Sequence, residues 1–255
     1  MKVLSMGWVV QTWGIACMIV KGLLPSVDAA IFADTGYEPE GTYTFIKTHA
    51  PWLESHGISI ITVQDNLADR AFSEWGGVFI PARTTRLDGT ASGLLHRQCT
   101  QRWKIAPIRR WIQAHRKNTS CEMWLGISFD EISRMKDSGV GYIKNVYPLI
   151  ELLPTPWTRG RVIDWLKSEN IPIPPKSACT FCPYHSDKEW REIKKSPLDW
   201  KEAVEMDKAI RNARVGYLTY LHRKLIPLEG VLVESLEDMG QLSMFNEECE
   251  GVCGV

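Results

Sequence analysis

The stretch KVLSMGWVVQTWGIACMIVKGLL, residues 2–24, changes its hydrophobic pattern within a few positions. VLSM is a short apolar run that predicts a buried strand, and the segment from Gln11 to Leu24 has helix-length apolar content that ends near Gly22 and Pro25. A strand that enters a helix through a small turn is a common place to hold a phosphate. The turn contains neither G-x-x-x-x-G-K-[ST] nor G-x-G-x-x-G, so a phosphate bound here would be held without the lysine of the first motif.

Strand and helix patterns alternate through the first two thirds of the chain. Strands joined by crossover helices predict an α/β fold with a doubly wound, mostly parallel sheet. Residues 76–100 are rich in Gly, Thr, Arg and Ser and predict a long loop instead. The further predicted strands are AAIFAD, ISIITVQD, MWLGIS and the stretch around YIKNVYPLI, and the further predicted helices are residues 39–56, the basic IAPIRRWIQAHRK and the amphipathic WTRGRVIDWLKSEN.

The last third of the chain has mostly helical periodicity up to Gly240. No internal repeat and no low-complexity linker interrupts the sequence, so we expect a single domain over residues 1–255. Within it we distinguish an α/β core (1–168), a helical extension (169–240) and a cysteine-containing tail (241–255). The tail directly follows Gly240, lacks helical periodicity and contains two glycines, which predicts a mobile segment.

Composition restricts the class of protein. The chain has 255 residues, 44% hydrophobic content and a formal net charge of zero, so no overall charge favours nucleic acid or a membrane surface. The apolar run from Ile15 to Leu24 is too short to span a bilayer and is interrupted by Lys21 and Gly22. We expect a cytoplasmic protein with neither a signal peptide nor a membrane partner. Its seven cysteines, an odd number, favour metal binding or thiol chemistry over a disulfide framework.

Ligands of doubly wound sheets bind at the carboxyl ends of the strands. This rule places three segments on one rim of the predicted sheet: residues 5–12, 34–38 and 126–131. Residues 83–117 add a run of arginines and lysines, a local cationic face in a neutral chain. Such a face suits a small polyanion or a nucleic-acid backbone, although a solvated helix face has the same composition.

Segments along nearly the whole chain resemble, in order, the phosphoadenosine-phosphosulfate (PAPS) reductase family of the adenine-nucleotide alpha-hydrolase, or PP-loop, superfamily. The C-x-x-C of ACTFC is similar to that of the iron–sulfur branch, and ECEGVCGV is similar to its reactive C-terminal tail. The segments that carry the resemblance are S-x-x-x-x-x-Q at 5–11, DTGYEPEGTY at 34–43, CTQRWKIAPIRR at 99–110, GISFDEISRMK at 126–136, YPLIELLPTPWTRGRVIDWL at 147–166, ACTFC at 178–182 and ECEGVCGV at 248–255.

The resemblance implies an adenine nucleotide as ligand: adenylyl sulfate (APS), PAPS or ATP. In this family the first turn binds phosphates through backbone amides, the helix N-terminus and small hydroxyl residues, so no lysine is required. This chain departs from the family at Trp8-Val9-Val10, where relatives have more glycine, and bulk there would crowd the phosphates. The nucleotide-binding residues that the resemblance implies are Ser5, Gly7, Gln11, Thr12, Asp34, Thr35, Gly36, Arg102, Lys104, Gly126 and Arg134.

The cysteines suggest a [4Fe–4S] cluster. A two-residue gap lets the sulfurs of Cys179 and Cys182 face one metal, and thiolates favour iron–sulfur or zinc centres. Cys99 falls on the position of an upstream cysteine pair in the family, where this chain has Gln98-Cys99 and thus one ligand fewer. Cys249 is the expected fourth ligand, with Cys253 or an open iron as the other options. Zinc is the alternative metal, for which His185 could serve as a ligand.

The resemblance implies a sulfonucleotide reductase. A thiolate of the tail, assigned to Cys253, would attack the sulfur of an adenylyl phosphosulfate, and a thiol reductant such as thioredoxin would release sulfite. Cys249 lies between Glu248 and Glu250, whose charges raise a thiol pKa, so it is the less suitable nucleophile. Two alternatives remain: an ATP-dependent sulfur-transfer or nucleic-acid-modifying enzyme, and a non-catalytic nucleotide-binding relative.

Overall fold

The structure, a computed structural model, describes residues 1–64, 77–90 and 92–231. The predicted ligand Cys249, the predicted nucleophile Cys253 and the predicted tail therefore lie outside the described residues. Within them, no helix is both long enough and apolar enough to cross a membrane.

Strands and helices alternate through the first 64 residues, as the sequence predicts. The strands are β1 (Lys2–Ser5), β2 (Ala29–Asp34), β3 (Ile60–Gln64), β4 (Arg83–Arg86), β5 (Ser92–Leu94), β6 (Cys121–Trp124), β7 (Ile143–Val146) and β8 (Tyr217–Tyr220). The α-helices are α1 (Val10–Val20), α2 (Glu40–Ser55), α3 (Ala106–His115), α4 (Pro148–Glu151), α5 (Arg159–Ser168), α6 (Asp187–Lys195) and α7 (Pro197–Ile210), with a π-helix at Thr100–Ile105 and 3₁₀ helices at Phe129–Arg134 and Leu228–Gly230.

Five parallel strands form the main sheet in the order β3-β2-β1-β6-β7, which confirms the predicted parallel α/β fold. Leu4 of β1 lies in register with Ala30 of β2 and with Trp124 of β6. Every residue of β2 is buried, as expected for a central strand covered on both faces by helices. The order reverses between β1 and β6, because the chain first winds outward to β2 and β3 and then returns to the other side of β1. This reversal is the switch point at which such sheets bind ligands.

Helix α1 is buried along most of its length, which explains its apolar composition. It packs between the sheet and α5, and a Cβ at Gly14 would overlap the Val162 side chain. Close approach of the two helices therefore depends on glycine at this position. The result is a fixed helix whose N-terminus faces the rim of the sheet.

A second, three-stranded antiparallel sheet in the order β5-β4-β8 was not predicted. The expectation of a long loop over residues 76–100 was wrong, because β4 and β5 lie there, and the last third of the chain contains β8 among its helices. A separate hydrophobic core underlies this sheet. This core combines residues that precede β6 in the chain with residues that follow β7. The first group is Val78, Ile80, Ala82 and Trp103, and the second is Phe181, Trp190, Ile193, Ala203, Val204, Met206, Ile210, Leu221, Leu228 and Val231.

Candidate functional site

A cavity of about 600 Å³ opens at the carboxyl ends of β1 and β6, where the strand order reverses. Its walls come from the turn after β1, the loop after β6, the π-helix and α3, and the segment that leads into α6. Seven of the residues that the sequence predicts to bind a nucleotide line it: Ser5, Gly7, Gln11, Thr12, Lys104, Gly126 and Arg134.

The turn between β1 and α1 presents its backbone to the cavity and sends its largest side chain elsewhere. Gly7, Val9 and Val10 line the cavity. The Trp8 side chain is instead fully buried in the core, where it stacks against Trp13. The bulk of Trp8 thus lies away from the predicted phosphate position, whereas the two valines contribute apolar surface to the cavity wall.

The hydroxyl of Thr12 organises this turn. Its Oγ1 accepts hydrogen bonds from the Gly7 and Val9 amides at 3.3 and 3.4 Å and donates to the Val9 carbonyl at 3.3 Å. A threonine hydroxyl at the third position of a helix commonly satisfies the first amides in this way. Thr12, Gly7 and Val9 all line the cavity, so this hydrogen-bonded turn forms part of the cavity wall.

The loop after β6 is fitted closely against the first turn of α1. A Cβ at Gly126 would lie 2.5 Å from Thr12 Cγ2 and 3.1 Å from the Thr12 amide nitrogen. Beyond this contact, Gln11 Nε2 donates to Glu131 Oε2 at 3.2 Å, and Glu131 also pairs with Arg134. Two rim segments, residues 5–12 and 126–134, are therefore held together by packing and hydrogen bonds.

Basic side chains outnumber acidic ones on the cavity wall. Among the described residues, Lys136 and Lys188 have no carboxylate within ion-pair distance, and both are exposed. An excess of positive charge in a concave site raises the local concentration of anions. In the described part of the chain the lining has seven basic residues (Lys104, Arg109, Arg134, Lys136, Arg159, Lys176 and Lys188) and four acidic ones (Glu131, Asp137, Glu189 and Glu192).

Two carboxylates, of which Glu38 is buried and Glu189 half-buried, orient two of these lysines. Glu38 is buried, accepts a hydrogen bond from Ser177 Oγ at 2.8 Å and pairs with Lys104 at 3.4 Å. On the side of α6, Glu189 pairs with Lys176. Burial alone would raise the pKa of Glu189, but the His185 ring, whose Nδ1 lies 3.9 Å from Glu189 Oε2, the Lys176 ammonium and a hydrogen bond from the Ser186 amide hold it at about 2. Glu189 is therefore ionised at neutral pH and keeps Lys176 at the cavity wall.

The predicted residues Asp34, Thr35 and Gly36 do not line the cavity. Asp34 Oδ1 accepts from the Gly36 amide and from Tyr43 Oη, both at 2.8 Å, and Asp34 Oδ2 accepts from Gln64 at 3.0 Å. Burial and then the Asp34 carboxylate raise the pKa of Tyr43 above its ordinary value. The Asp34 carboxylate thus fastens β2, β3 and α2 at the rim.

Arg102, also predicted to bind the nucleotide, lies outside the cavity. Its guanidinium stacks over the Phe79 ring at 4.2 Å, and its Nε donates to Gln98 Oε1 at 3.1 Å. Of the basic stretch 83–117, Lys104 and Arg109 reach the cavity wall.

Cys179 and Cys182 share one turn, in which the Cys182 amide donates to the Cys179 carbonyl at 2.9 Å. The Cys179 sulfur lies 3.3 Å from Thr35 Oγ1, which ties this turn to the end of β2. Cys99 and Cys182 both lie within electrostatic reach of Tyr184, whose pKa is raised by burial and then by these two thiols. The three predicted ligands therefore occupy one region beside the second core.

Metal ligands do not converge in the part of the chain that the structure describes: no three His, Cys, Asp or Glu side chains there come close enough together to hold a metal ion. His185, the alternative zinc ligand, uses Nε2 to bond the Cys179 carbonyl at 2.8 Å. Two guanidinium nitrogens, Arg83 Nε and Arg97 Nη2, are buried without a hydrogen-bond acceptor among the described residues, and both guanidinium groups interact electrostatically with Tyr184, as Cys99 and Cys182 do.

The remaining cysteines are core residues. Cys17 is buried within α1, and burial raises its pKa above the ordinary thiol range. Cys121 is buried at the start of β6, where burial raises its pKa to about 11. Neither is exposed for thiol chemistry at neutral pH.

Several cavity residues escaped the sequence analysis. Lys176 and Ser177 directly precede the C-x-x-C segment. Because they are far from β1 along the chain, the sequence does not indicate that they lie beside it at the rim. Lys136 is the last residue of GISFDEISRMK, the segment in which Arg134 was predicted to bind the nucleotide. The same resemblance therefore pointed to Lys136 as well. Arg109 and Arg159 were visible only as members of basic or amphipathic helices.

Comparisons with known proteins identify no relative: no protein-family model matches the chain, and no curated protein matches it. The structure itself shows a parallel α/β fold that is compatible with a Rossmann-like nucleotide-binding domain.

Proposed function

We propose that the protein binds a phosphorylated adenine nucleotide in the cavity between β1 and β6 and acts as a sulfonucleotide reductase. The single observation that carries the nucleotide site is the position of a cavity with an excess of basic residues at the switch point of a parallel sheet. Its volume of about 600 Å³ lies within the usual range for small-molecule sites. The reductase reaction is supported by the sequence resemblance described above.

The proposed binding mode follows from the chemistry of the walls. The phosphates would approach the amides of Gly7 and Val9 and replace the long hydrogen bonds that these amides make to Thr12. Lys136 and Lys188, which have no carboxylate within ion-pair distance among the described residues, would neutralise the phosphosulfate charge, and Lys104, Lys176 and Arg134 would donate hydrogen bonds from their ion pairs. The apolar side chains of Phe32, Ile108 and Leu125, which also line the cavity, would contact the base.

The proposed reaction is a nucleophilic displacement at sulfur. The Cys253 thiolate forms an S–S bond to the sulfonate sulfur, the bond from sulfur to the phosphate oxygen breaks, and AMP or its 3′-phosphorylated form leaves with the electron pair. The product is a cysteine S-sulfonate. A dithiol reductant then attacks the Cys253 sulfur, sulfite leaves, and the second thiol of the reductant restores the Cys253 thiol while the reductant becomes a disulfide.

The proposed cofactor is a [4Fe–4S] cluster on Cys99, Cys179, Cys182 and Cys249, with zinc as the alternative metal. The Cys179–Cys182 turn and the two buried guanidinium nitrogens without an acceptor support an anionic thiolate centre beside the second core. When bound, such a cluster would supply a redox-capable iron centre. Iron, sulfide and zinc quantified after anaerobic purification test it, with Cys179→Ala and Cys182→Ala against the core variant Cys121→Ala.

A binding screen and a reaction assay test the function separately. Isothermal titration with APS, PAPS and ATP should give a dissociation constant for at least one of the three, and the bound nucleotide should raise the melting temperature. Binding of ATP alone would favour the adenylating sulfur-transfer alternative. Sulfite release from APS or PAPS with a dithiol should disappear in Cys253→Ser and persist in Cys121→Ala. Sulfite release that survives in Cys253→Ser and in Cys249→Ser would refute the reductase proposal.

A further inference from the structure

Trp8 has a backbone conformation that large residues rarely adopt. Its φ is +54°, in the left-handed region, where glycine is favoured and a bulky side chain is an outlier. It is also fully buried. Outliers of this kind persist only where the surrounding structure holds them, and they concentrate at functional sites.

Aromatic packing holds Trp8 in place. The indole stacks on Trp13 with ring centroids 6.1 Å apart and meets the edge of Phe45 at 6.4 Å. Trp13 in turn packs against Phe45 at 5.2 Å, so residues of α1 and α2 enclose the indole. Its Nε1 is buried without a hydrogen-bond partner among the described residues. The anchor therefore acts through shape and apolar contact.

The anchored residue lies between two residues that line the cavity. Gly7 and Val9 flank Trp8, and both donate to the one hydroxyl of Thr12. Successive backbone amides in a turn that contains a left-handed residue form the anion-binding concavities of many phosphate sites, and here the left-handed Trp8 is followed by an extended Val9. Glycine at position 8 would permit this turn but would leave it free to open, because glycine also has many other conformations available.

We infer that Trp8 is a positioning residue of the phosphate-binding turn, in which the buried indole fixes the left-handed conformation that directs the Gly7 and Val9 amides into the cavity. This inference rests on the proposed nucleotide site. Trp8 itself is not among the residues that line the cavity. A preformed turn of this kind lowers the conformational entropy lost when the ligand binds.

The test compares three variants by titration with the nucleotide that the wild-type protein binds most tightly among APS, PAPS and ATP. Trp8→Phe keeps an apolar anchor and should bind within about threefold of wild type. Trp8→Gly removes the anchor and should bind at least tenfold more weakly. Trp13→Phe removes as much volume as Trp8→Phe and keeps an aromatic ring against the Trp8 indole, so it should bind within about threefold. If Trp8→Gly does not fold, Trp8→Leu replaces it, with the same expected direction.

Hydrogen exchange provides a readout that is independent of affinity. Amides of residues 6–12 should exchange faster in Trp8→Gly than in wild type, whereas Trp13→Phe should leave them protected. Wild-type affinity in Trp8→Gly or Trp8→Leu, or equal weakening in Trp13→Phe, would overturn the inference while the nucleotide site stands. Failure of the wild-type protein to bind any of the three nucleotides would instead overturn the proposed function.

Discussion

At position 126 only glycine lets the loop after β6 lie against the first turn of α1. The nearest atoms to an added Cβ belong to Thr12, including its backbone nitrogen, and backbone cannot move aside as a flexible side-chain end can. Gly126→Ala should therefore displace the turn that holds the Gly7 and Val9 amides. We expect nucleotide affinity to fall at least tenfold, as measured by titration calorimetry.

Gly14→Ala is the matched control for this substitution. Its Cβ would overlap Val162 on α5, so it also creates a clash on α1, but one away from the cavity. Both variants should unfold at lower temperature than wild type. If Gly14→Ala weakens nucleotide binding as much as Gly126→Ala does, the effect comes from general destabilisation of α1 and the local explanation is wrong.

The carboxylate of Glu189 makes stability depend on pH in the acid range. Its pKa is about 2 in the folded protein, against 4.5 as its ordinary value. A lowered carboxyl pKa contributes stability that is complete above pH 4.5 and is lost as the pH falls toward 2. Urea denaturation should thus show wild type losing stability over this window. Glu189→Gln should show a weaker pH dependence and, because the group is partly exposed, a loss of only about 1–2 kcal/mol at pH 7.

Glu192→Gln on the same helix is the control for the pH experiment. Its carboxylate pairs with Lys195 at 2.7 Å, and both side chains are well exposed. Such a pair contributes roughly 0–1 kcal/mol. A pH dependence that is unchanged in Glu189→Gln, or reduced equally in Glu192→Gln, would show that the network of Glu189 with His185 and Lys176 does not carry the effect.

Single residues of the site could be predicted where they lie close together in the sequence, next to a recognisable strand. Ser5, Gly7 and Thr12 belong to one contiguous turn that follows a recognisable strand, so position along the chain gives position in space. Asp34 stands at the end of its strand as predicted, yet its oxygens are engaged by Gly36, Tyr43 and Gln64. The sequence alone cannot show whether such a carboxylate accepts hydrogen bonds from neighbouring protein groups or from a ligand.

At the scale of elements, the long periodic segments were predictable and the short non-local strands were not. Helix α2 has enough residues to show a helical period, and strand β2 is a recognisable apolar run that is buried throughout. Strand β4 has only four residues, and its pairing with β8 joins Arg83 to Tyr220 across more than half the chain. A strand whose partner is so distant, in a segment rich in turn-forming residues, cannot be separated from a loop by local pattern.

Asp207 joins three elements of the second core. Buried on α7, it accepts from the Leu221 amide after β8 at 2.9 Å and from the Leu228 amide at 3.0 Å, and it pairs with Arg211. Asp207→Ala leaves a cation and two amides without their acceptor, which should cost about 3–5 kcal/mol in urea denaturation. Glu205→Ala, on the exposed face of the same helix, should cost less than about 1 kcal/mol. Similar losses in both variants would contradict the assigned role of Asp207.

At the scale of the whole molecule, the chain builds its second core from two distant parts. Val78 and Trp103 precede β6, whereas Phe181 and Ile210 follow β7, and all four lie in one cluster. The cavity also draws on both parts, since Gly7 and Lys176 line it together. The second core and the cavity therefore both contain residues from before and after position 168, where the sequence suggests a boundary.

A fragment of residues 1–168 should not fold. It would expose Val78, Ile80 and Trp103, whose burial contributes about 1.5–3 kcal/mol each. Their sum is comparable with the entire stability of a typical domain, about 5–15 kcal/mol. A chain of residues 1–231, which retains both cores, is the matched control and should unfold in one cooperative transition followed by circular dichroism. The shorter fragment should show no such transition and should bind a hydrophobic dye. A cooperative transition in residues 1–168 would instead mean that the main sheet folds alone, and that residues 78–103 pack onto the extension only after it has formed.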